Sequence, residues 1–444
     1  MASQISTPDF SELVRVFTRI GCLSFGGPAG QIALMHRELV EERTWIDEEQ
    51  YLHALNFCHL LPGPEAQQLA TWIGWRMHGV RGGLAAGLLF VVPGALIILA
   101  LSILYAYAAN LDWFAALFLG MKAAVLAIVV QALIRIGGRA LNTGFKQGMA
   151  VAAFIALFFL DLPFPLVVLG AGAIGIVVAQ RRPAWLALKA ATAVSITDAR
   201  PWGQTARTIA MWLAIWAAPM AVVLLTVGPD HVLWKIGSFF SQLAIVTFGG
   251  AYAVLAYMAQ EAVQGFGWLS AGEMADGLGL AETTPGPLIM VTQFVGYLAA
   301  FRAPEPFTPL IAGILGAGLT TWVTFAPCFL WIFAFAPWIE RLENNRWLKG
   351  GLATLTAAVV GVIANLTVWF ALHVLFADIS EQQYGPVGLY WPNMGSFNGI
   401  AALLSLLAGC ASPDVVDPHG YDQTGVASWY GARHQGKRTA SGER

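Results

Sequence analysis

Charge is what this 444-residue sequence has least of: Lys, Arg, Asp and Glu make up 11% of it, against 57% hydrophobic residues and a mean hydropathy of +0.64. That leaves too little polar surface to clothe a soluble globule of this size, which excludes an aqueous enzyme or scaffold. The formal net charge of −2 offers no electrostatic footprint for nucleic acid or anionic lipid. Cys22, Cys58, Cys328 and Cys410 lie far apart without a CxxC pair, excluding a zinc ribbon and a disulfide framework. The first three read as inert, buried thiols. No nucleophile constellation or phosphate-binding loop is present, so neither hydrolysis nor ATP-driven pumping has machinery here. No cofactor and no metal are expected. The short polar start, residues 1–13, is neither a secretory signal peptide nor a soluble domain.

What is present is apolar length. A span of the hydrocarbon core needs about 20 apolar residues. Residues 82–106, 208–228, 308–339 and 350–377 each supply that without a Lys, Arg, Asp or Glu. Further segments at 113–134, 147–160 and 163–179 complete the first half, the last two being short enough to form a re-entrant hairpin. The expected class is an all-α polytopic membrane protein, with the lipid bilayer as its partner.

The sequence also repeats itself. Phe25-Gly26-Gly27 returns as Phe248-Gly249-Gly250, Trp45-Ile46 as Trp268-Leu269, and Pro62-Gly63-Pro64 as Pro285-Gly286-Pro287, every landmark displaced by 223. One register across three punctuated landmarks indicates two homologous halves. Lys and Arg gather around 76–81, 135–146, 181–207 and 341–349, which are read as cytoplasmic, whereas 110–112 and 378–383 lack them and are read as outside. Segment 82–106 then runs outward and 308–339 inward, so the repeats are expected to be inverted. The boundaries follow: a first membrane domain at 1–180, a basic cytoplasmic linker at 181–207, a second membrane domain at 208–391 and an atypical tail at 392–444.

Pro-Gly-Pro inside an apolar segment breaks a helix, because proline removes an amide donor and glycine permits left-handed backbone angles. At membrane depth such a break is tolerated only beside protein or water, and the restarting helix aims free amides and a positive dipole end at that space. Free N–H groups suit an oxyanion. Around Pro62, Gly63 and Pro64 the expected substrate-binding residues include Gln67 and Gln68, and around Thr284, Pro285, Gly286 and Pro287 they include Gln293. Ser24, Phe25, Gly26 and Gly27 with Thr247, Phe248, Gly249 and Gly250 join a hydroxyl to paired glycines, which serve either close approach to a ligand or tight helix crossing. Ionisable groups at membrane depth are functional candidates by default. Glu65, Lys122 and Glu282 are the expected coupling residues, with Asp276 singled out beside them, although Lys122 also fits snorkelling and Glu65 and Glu282 also fit half-helix caps. His36, His53, His59 and His78 follow no zinc spacing and read as interfacial, as do Trp45 and Trp268.

At these residues the sequence resembles the chromate ion transporter family in its long, two-domain form. The stretches that match are Phe25 to Gly30, the Trp45-Ile46 loop and Leu61 to Ala70 running into Gly74-Trp75, with a weaker second copy at 247–250 and 284–287; the likeness extends from about Leu13 to about Trp391. What the resemblance implies is secondary transport: export of chromate, a sulfate-like dianion, across the bacterial inner membrane, with chromate resistance as the outcome. A homodimer is left open. After Trp391 the sequence departs from the family pattern. Leu403 to Cys410 reads as a lipobox, and 425–443 resembles the start of a rare lipoprotein A-type protein that stops short of a catalytic core. The tail is expected to be disordered, and to leave the second half unfinished.

Overall fold

Long apolar runs without helix breakers become long helices, and punctuated runs become short paired ones. A computed structural model describes residues 8–25, 27–108, 111–187, 202–247, 251–339, 345–384 and 387–411. Six helical stretches are long and apolar enough to cross a membrane: Glu65–Ala108, Ala116–Ala140, Phe164–Arg181, Trp202–Thr226, Pro309–Trp338 and Arg346–Leu375. The protein is an all-α polytopic membrane protein.

The first half opens with α1 (Phe10–Leu23), α2 (Gly27–His36), α3 (Glu48–Leu60) and α4 (Glu65–Ala108), and the second with α9 (Val232–Val246), α10 (Ala251–Gln260), α11 (Ala271–Thr283) and α12 (Val291–Arg302). A displacement of 223 carries α3 onto α11 at both ends. Local capping follows the same displacement, since Asp47 caps α3 by accepting from the Gln50 amide and Ser270 caps α11 by accepting from the Glu273 amide. Wide π turns close the second arms, at Arg37–Glu42 and Glu261–Gly265.

These helices form paired arms. Phe239 on α9 meets Tyr257 on α10 with ring centroids 5.7 Å apart, and Phe266 at 5.4 Å. Gly277 on α11 faces the Phe294 ring on α12, and Arg302 at the far end of α12 donates to the Trp268 carbonyl at 2.7 Å. Contacts therefore join the two arms of each second-half hairpin. In the first half Arg19 on α1 reaches Glu38 at 3.6 Å, closing the equivalent arms.

Helix α4 is two limbs, because the backbone leaves helical angles at His78 and Gly79 and reverses there. Gly74 and Gly82 pack backbone to backbone across that reversal. The second limb, residues 80–108, is roughly 40 Å long at 1.5 Å per residue. Near its start, a Cβ on Gly83 would lie 2.7 Å from the Phe333 ring, while near its finish Tyr107 meets Phe301 at 5.5 Å. His78 bonds the Pro8 carbonyl at 2.8 Å at the first end, and His231 the Glu305 carbonyl at 2.6 Å at the other.

Each half closes the other's core. Phe329, Leu330 and Phe333 of α13 (Pro309–Phe335) pack into the first half's core, and Val91, Ile98 and Tyr105 of α4 into the second's. In lipid the gain comes from close packing rather than from expelled water, which is why glycines line these crossings. Around this core lie α5 (Asp112–Ala140), α6 (Gly144–Phe158) and α7 (Phe164–Arg181), packed on α14 (Arg346–Leu375), whose Val359, Ile363 and Phe370 are buried in the second half's core. Gly175 on α7 and Gly350 on α14 let those two helices touch, as Gly361 does for α14 on α6. Helix α8 (Trp202–Thr226) leans on α13, where Trp216 donates to the Val323 carbonyl at 3.1 Å.

Two expectations change, the disorder of the whole tail and the burial of Cys22. The stretch from 392 is not disordered throughout: α15 (Gly399–Ala411) lies against α5, and Gln131 donates to the Gly409 carbonyl at 3.4 Å. The lipobox-like run is an apolar helix face, and residues 412–444 lie outside the described residues. The loop near 378–383 is partly an antiparallel hairpin of β1 (Ile379–Tyr384) and β2 (Val387–Pro392). Cys22 is exposed, while Cys58 and Cys328 are buried, and all are free thiols.

Candidate functional site

Proline without an amide and a preceding residue forced out of the α region stop α3 and α11 at their Pro-Gly-Pro motifs. Gly63 at φ 117° and Gly286 at φ 107° make the turns, in a region that strongly favours glycine. Each turn is held by the opposite half. The Gly63 amide donates to the Thr247 carbonyl at 2.9 Å, and the Gly286 amide donates to the Ser24 carbonyl at 2.9 Å. The hydroxyls of Ser24 and Thr247 donate back to Ile20 and Leu243 in their own helices.

Side-chain amides complete the centre. Gln31 donates to the Gly286 carbonyl at 2.6 Å, Gln68 to the Pro62 carbonyl at 2.7 Å, and Gln293 to the Ala95 carbonyl at 2.9 Å while accepting from Thr321 at 3.1 Å. Gln67 donates to Thr71 at 3.0 Å. The side-chain oxygens of Gln67 and Gln68 are buried with no hydrogen-bond partner among the described residues. The Gln68 side-chain nitrogen and the Cys328 thiol each lie 2.9 Å from where a Cβ on Gly63 would be.

Ser24, Gly27, Pro62, Gly63, Pro64, Gln67, Gln68, Thr247, Thr284, Pro285, Gly286, Pro287 and Gln293 are therefore brought to the two turns or their flanks, all of them buried. Phe25 is not, being exposed. Gly26, Phe248, Gly249 and Gly250 lie outside the described residues. The two central glycine amides, inside the motifs and before the restarting helices, are each bonded to a carbonyl of the other half. The turns are packed shut here, Gly286 resting against Gly94 of α4, where an added Cβ would sit 3.0 Å from the Gly94 Cα.

The charged candidates separate. Lys122 Nζ on α5 lies 3.1 Å from Asp276 Oδ1 on α11, and the Tyr105 hydroxyl on α4 donates to Asp276 Oδ2 at 2.7 Å. Glu65 is buried at the first turn of α4, with His59 Nδ1 at 3.8 Å. Glu282 is half-buried near the end of α11. At the outer ends of the arms, His36 sits between Glu48 at 2.6 Å and Glu41 at 3.0 Å. Burial disfavours its charged form, but the two carboxylates outweigh that and raise its pKa. Glu273 is the counterpart at the second half's end. Burial would raise its pKa, but bonds from the Arg302 guanidinium and from Ser270 lower it. His53 lies 3.9 Å from Glu49. Among the described residues, no three His, Cys, Asp or Glu side chains converge as metal ligands.

Sequence reasoning missed Gln31, Tyr105 and Gly94. A glutamine or tyrosine among apolar residues is too common a pattern to stand out. Gly94, in Val-Pro-Gly, repeats the helix-breaker vocabulary but lies inside an unbroken helix.

Six helices among the described residues that are long and apolar enough to span a membrane, with two helix breaks each seated on the opposite half, define a multi-pass membrane protein with discontinuous helices. The comparisons give the family. The chromate transporter family profile matches residues 11–176 and 234–414, and the chain belongs to that family. A chromate transport protein of Pseudomonas aeruginosa is 34% identical over 81% of this chain and 80% of its own length. Chromate transport protein of Cupriavidus metallidurans is 29% identical over 81% of this chain and 82% of its own length. A probable chromate transport protein of Synechococcus elongatus is 28% identical over 80% and 83%. The second match runs to residue 414, so the family pattern extends past the expected limit at Trp391 and takes in α15. No solved structure matches.

Proposed function

We propose that this protein is a secondary transporter that exports chromate, a sulfate-like oxyanion, across the bacterial inner membrane and thereby confers chromate resistance. The observation that carries this reading is the reciprocal seating of the breaks, Gly63 on Thr247 and Gly286 on Ser24, in a chain of the chromate transporter family. A centre made by two halves opens by moving one half against the other, which is how alternating access works around a midplane site. The two halves are inverted in this reading, which is supported by the start of the first half lying against His78 at one end of the long limb of α4 and the end of α12 meeting Tyr107 at the other. The oxyanion binds between the turns, through amides released when the Gly63 and Gly286 bonds part, with Ser24, Thr247, Gln67, Gln68 and Gln293 as neighbouring donors. Residues 1–180 and 208–411 are the two units, and α15 closes the second on α5. Residues 415–444 lie beyond the family match and resemble the start of a lipoprotein.

The test is chromate uptake into everted vesicles, with sulfate as competitor and with the proton gradient collapsed. Gradient-dependent accumulation of chromate is the expected result. Accumulation of sulfate with exclusion of chromate would replace the substrate, and no movement of either would end the transport reading.

A further inference from the structure

Lys122, Asp276 and Tyr105 come from three elements and both halves. Lys122 lies in the apolar α5, Tyr105 near the end of α4, and Asp276 on the arm α11 that leads, ten residues on, into the Pro-Gly-Pro turn at Gly286. The Asp276 side chain is 9% exposed and that of Lys122 21%. Glu273, one turn earlier on the same arm, is committed to Arg302 and the cap of α11. Asp276 instead faces the other half, through Lys122 and Tyr105. A buried ion pair adds little net stability over apolar side chains of similar size, so stability alone is a poor reason to keep one at membrane depth.

The geometry points to Lys122 as an oxyanion ligand whose counter-ion at rest is Asp276, so that the carboxylate and the transported dianion take turns on one ammonium. The inference rests on the transport reading above. The Asp276 carboxylate carries one charge and the dianion two, so the dianion competes for Lys122 on charge alone. When it takes Lys122, Asp276 keeps the Tyr105 hydroxyl as its remaining bond and its arm is untied from α5. That arm ends at the second break, about 15 Å along the helix, so loss of the pair frees the Gly286 turn to leave Ser24. Return of Asp276 to Lys122 then displaces the anion. Asp276 is the positioning residue of this exchange and Lys122 the ligand.

A purely structural pair gives a different outcome from the same variants. Full-length Lys122→Met/Asp276→Leu removes both charges and keeps the volume. It is expected to fold with wild-type thermal stability in detergent, to lose at least ~10-fold in chromate flux into everted vesicles, and to lose the stabilisation that added chromate gives the wild type; such ligand stabilisation reads binding without transport. Asp276→Asn leaves the ammonium without its competitor, so the half-saturating chromate concentration should fall along with the maximal rate. Lys122→Arg should retain binding. Wild-type flux in the double variant would overturn the exchange while leaving the transport reading standing. Wild-type vesicles that move no chromate, with no stabilisation by it, would overturn both.

Discussion

The two Pro-Gly-Pro turns carry the same three residues and meet different surroundings. The first restarts as Glu65-Ala66-Gln67-Gln68, which puts a buried carboxylate at its own helix N-terminus and two glutamines a turn later. The second restarts as Leu288-Ile289-Met290 and borrows its polar group, Gln31, from the other half. An acid at a helix N-terminus occupies the positive dipole end that would otherwise favour an anion. The second turn has no such acid, and its nearby charge, the Lys122–Asp276 pair, lies farther down the arm. Duplication supplied the break, and divergence gave one copy the acid and the other the tethered arm.

The sharpest way to break this comparison is a methyl group on each glycine. At Gly286 it meets the Gly94 backbone at 3.0 Å, whereas at Gly63 it meets only the ends of Cys328 and Gln68, at 2.9 Å. Both positions have unfavourable φ for alanine, so each variant bears strain of about 1–3 kcal/mol. Gly286→Ala adds overpacking of a similar size, about 1–3 kcal/mol, and should abolish chromate flux, while Gly63→Ala retains a measurable fraction. Equal losses in thermal unfolding and in vesicle flux would erase the distinction between the turns.

Next in size are the charges. Lys122→Ala alone strands Asp276 and should cost about 3–5 kcal/mol, read as a lower melting temperature in detergent. Glu65→Gln at the other turn keeps shape and loses a loose pair with His59 and the charge at the helix dipole, so its cost should stay below about 2 kcal/mol. If Glu65 couples protons, that variant's flux should also lose its dependence on the imposed pH gradient; a retained dependence removes Glu65 from the coupling role.

Smaller effects are expected from the amides that hold each turn. Gln31→Leu and Gln68→Leu each leave a buried carbonyl unpaired, costing about 1–3 kcal/mol. Because Gln31 bridges the halves and Gln68 does not, only Gln31→Leu should raise hydrogen exchange at the Gly286 amide. Matching exchange in both variants would make the bridge irrelevant.

The outer ends differ in the sign of their pH response. His36 has a raised folded pKa, so its contribution is complete at pH below the unfolded imidazole value and is lost as pH rises through the folded one. Glu273 has a lowered folded pKa, so its contribution is present above the ordinary glutamate range and is lost as pH falls through the folded value. In melting temperature against pH, His36→Gln should flatten the alkaline side and Glu273→Gln the acid side. Interchanged effects would reject these assignments.

Much of this was legible in the residues. Charge scarcity and long apolar runs gave the class, and a displacement of 223 gave helices whose caps, π turns and breaks recur in order. The family likeness was carried by the same landmarks. Less legible was the end of the second half. Leu403 to Cys410 reads as a lipobox, and that it lies in a helix set against α5 is given only by the structure. Lys122 was visible as a charge in an apolar helix, but its partner, 154 residues away, was not.

By itself, the sequence determined where helices stop. Proline has no amide to give and glycine alone tolerates the turn, so the breaks at 62–64 and 285–287 are set by local covalent geometry. Tertiary structure alone decided what those breaks do next. Whether the Gly63 and Gly286 amides face a ligand or a carbonyl depends on which backbone approaches them, and that backbone belongs to the other half. The same holds for Lys122, since pairing between distant segments depends on packing in three dimensions, which a one-dimensional pattern of residue types does not encode.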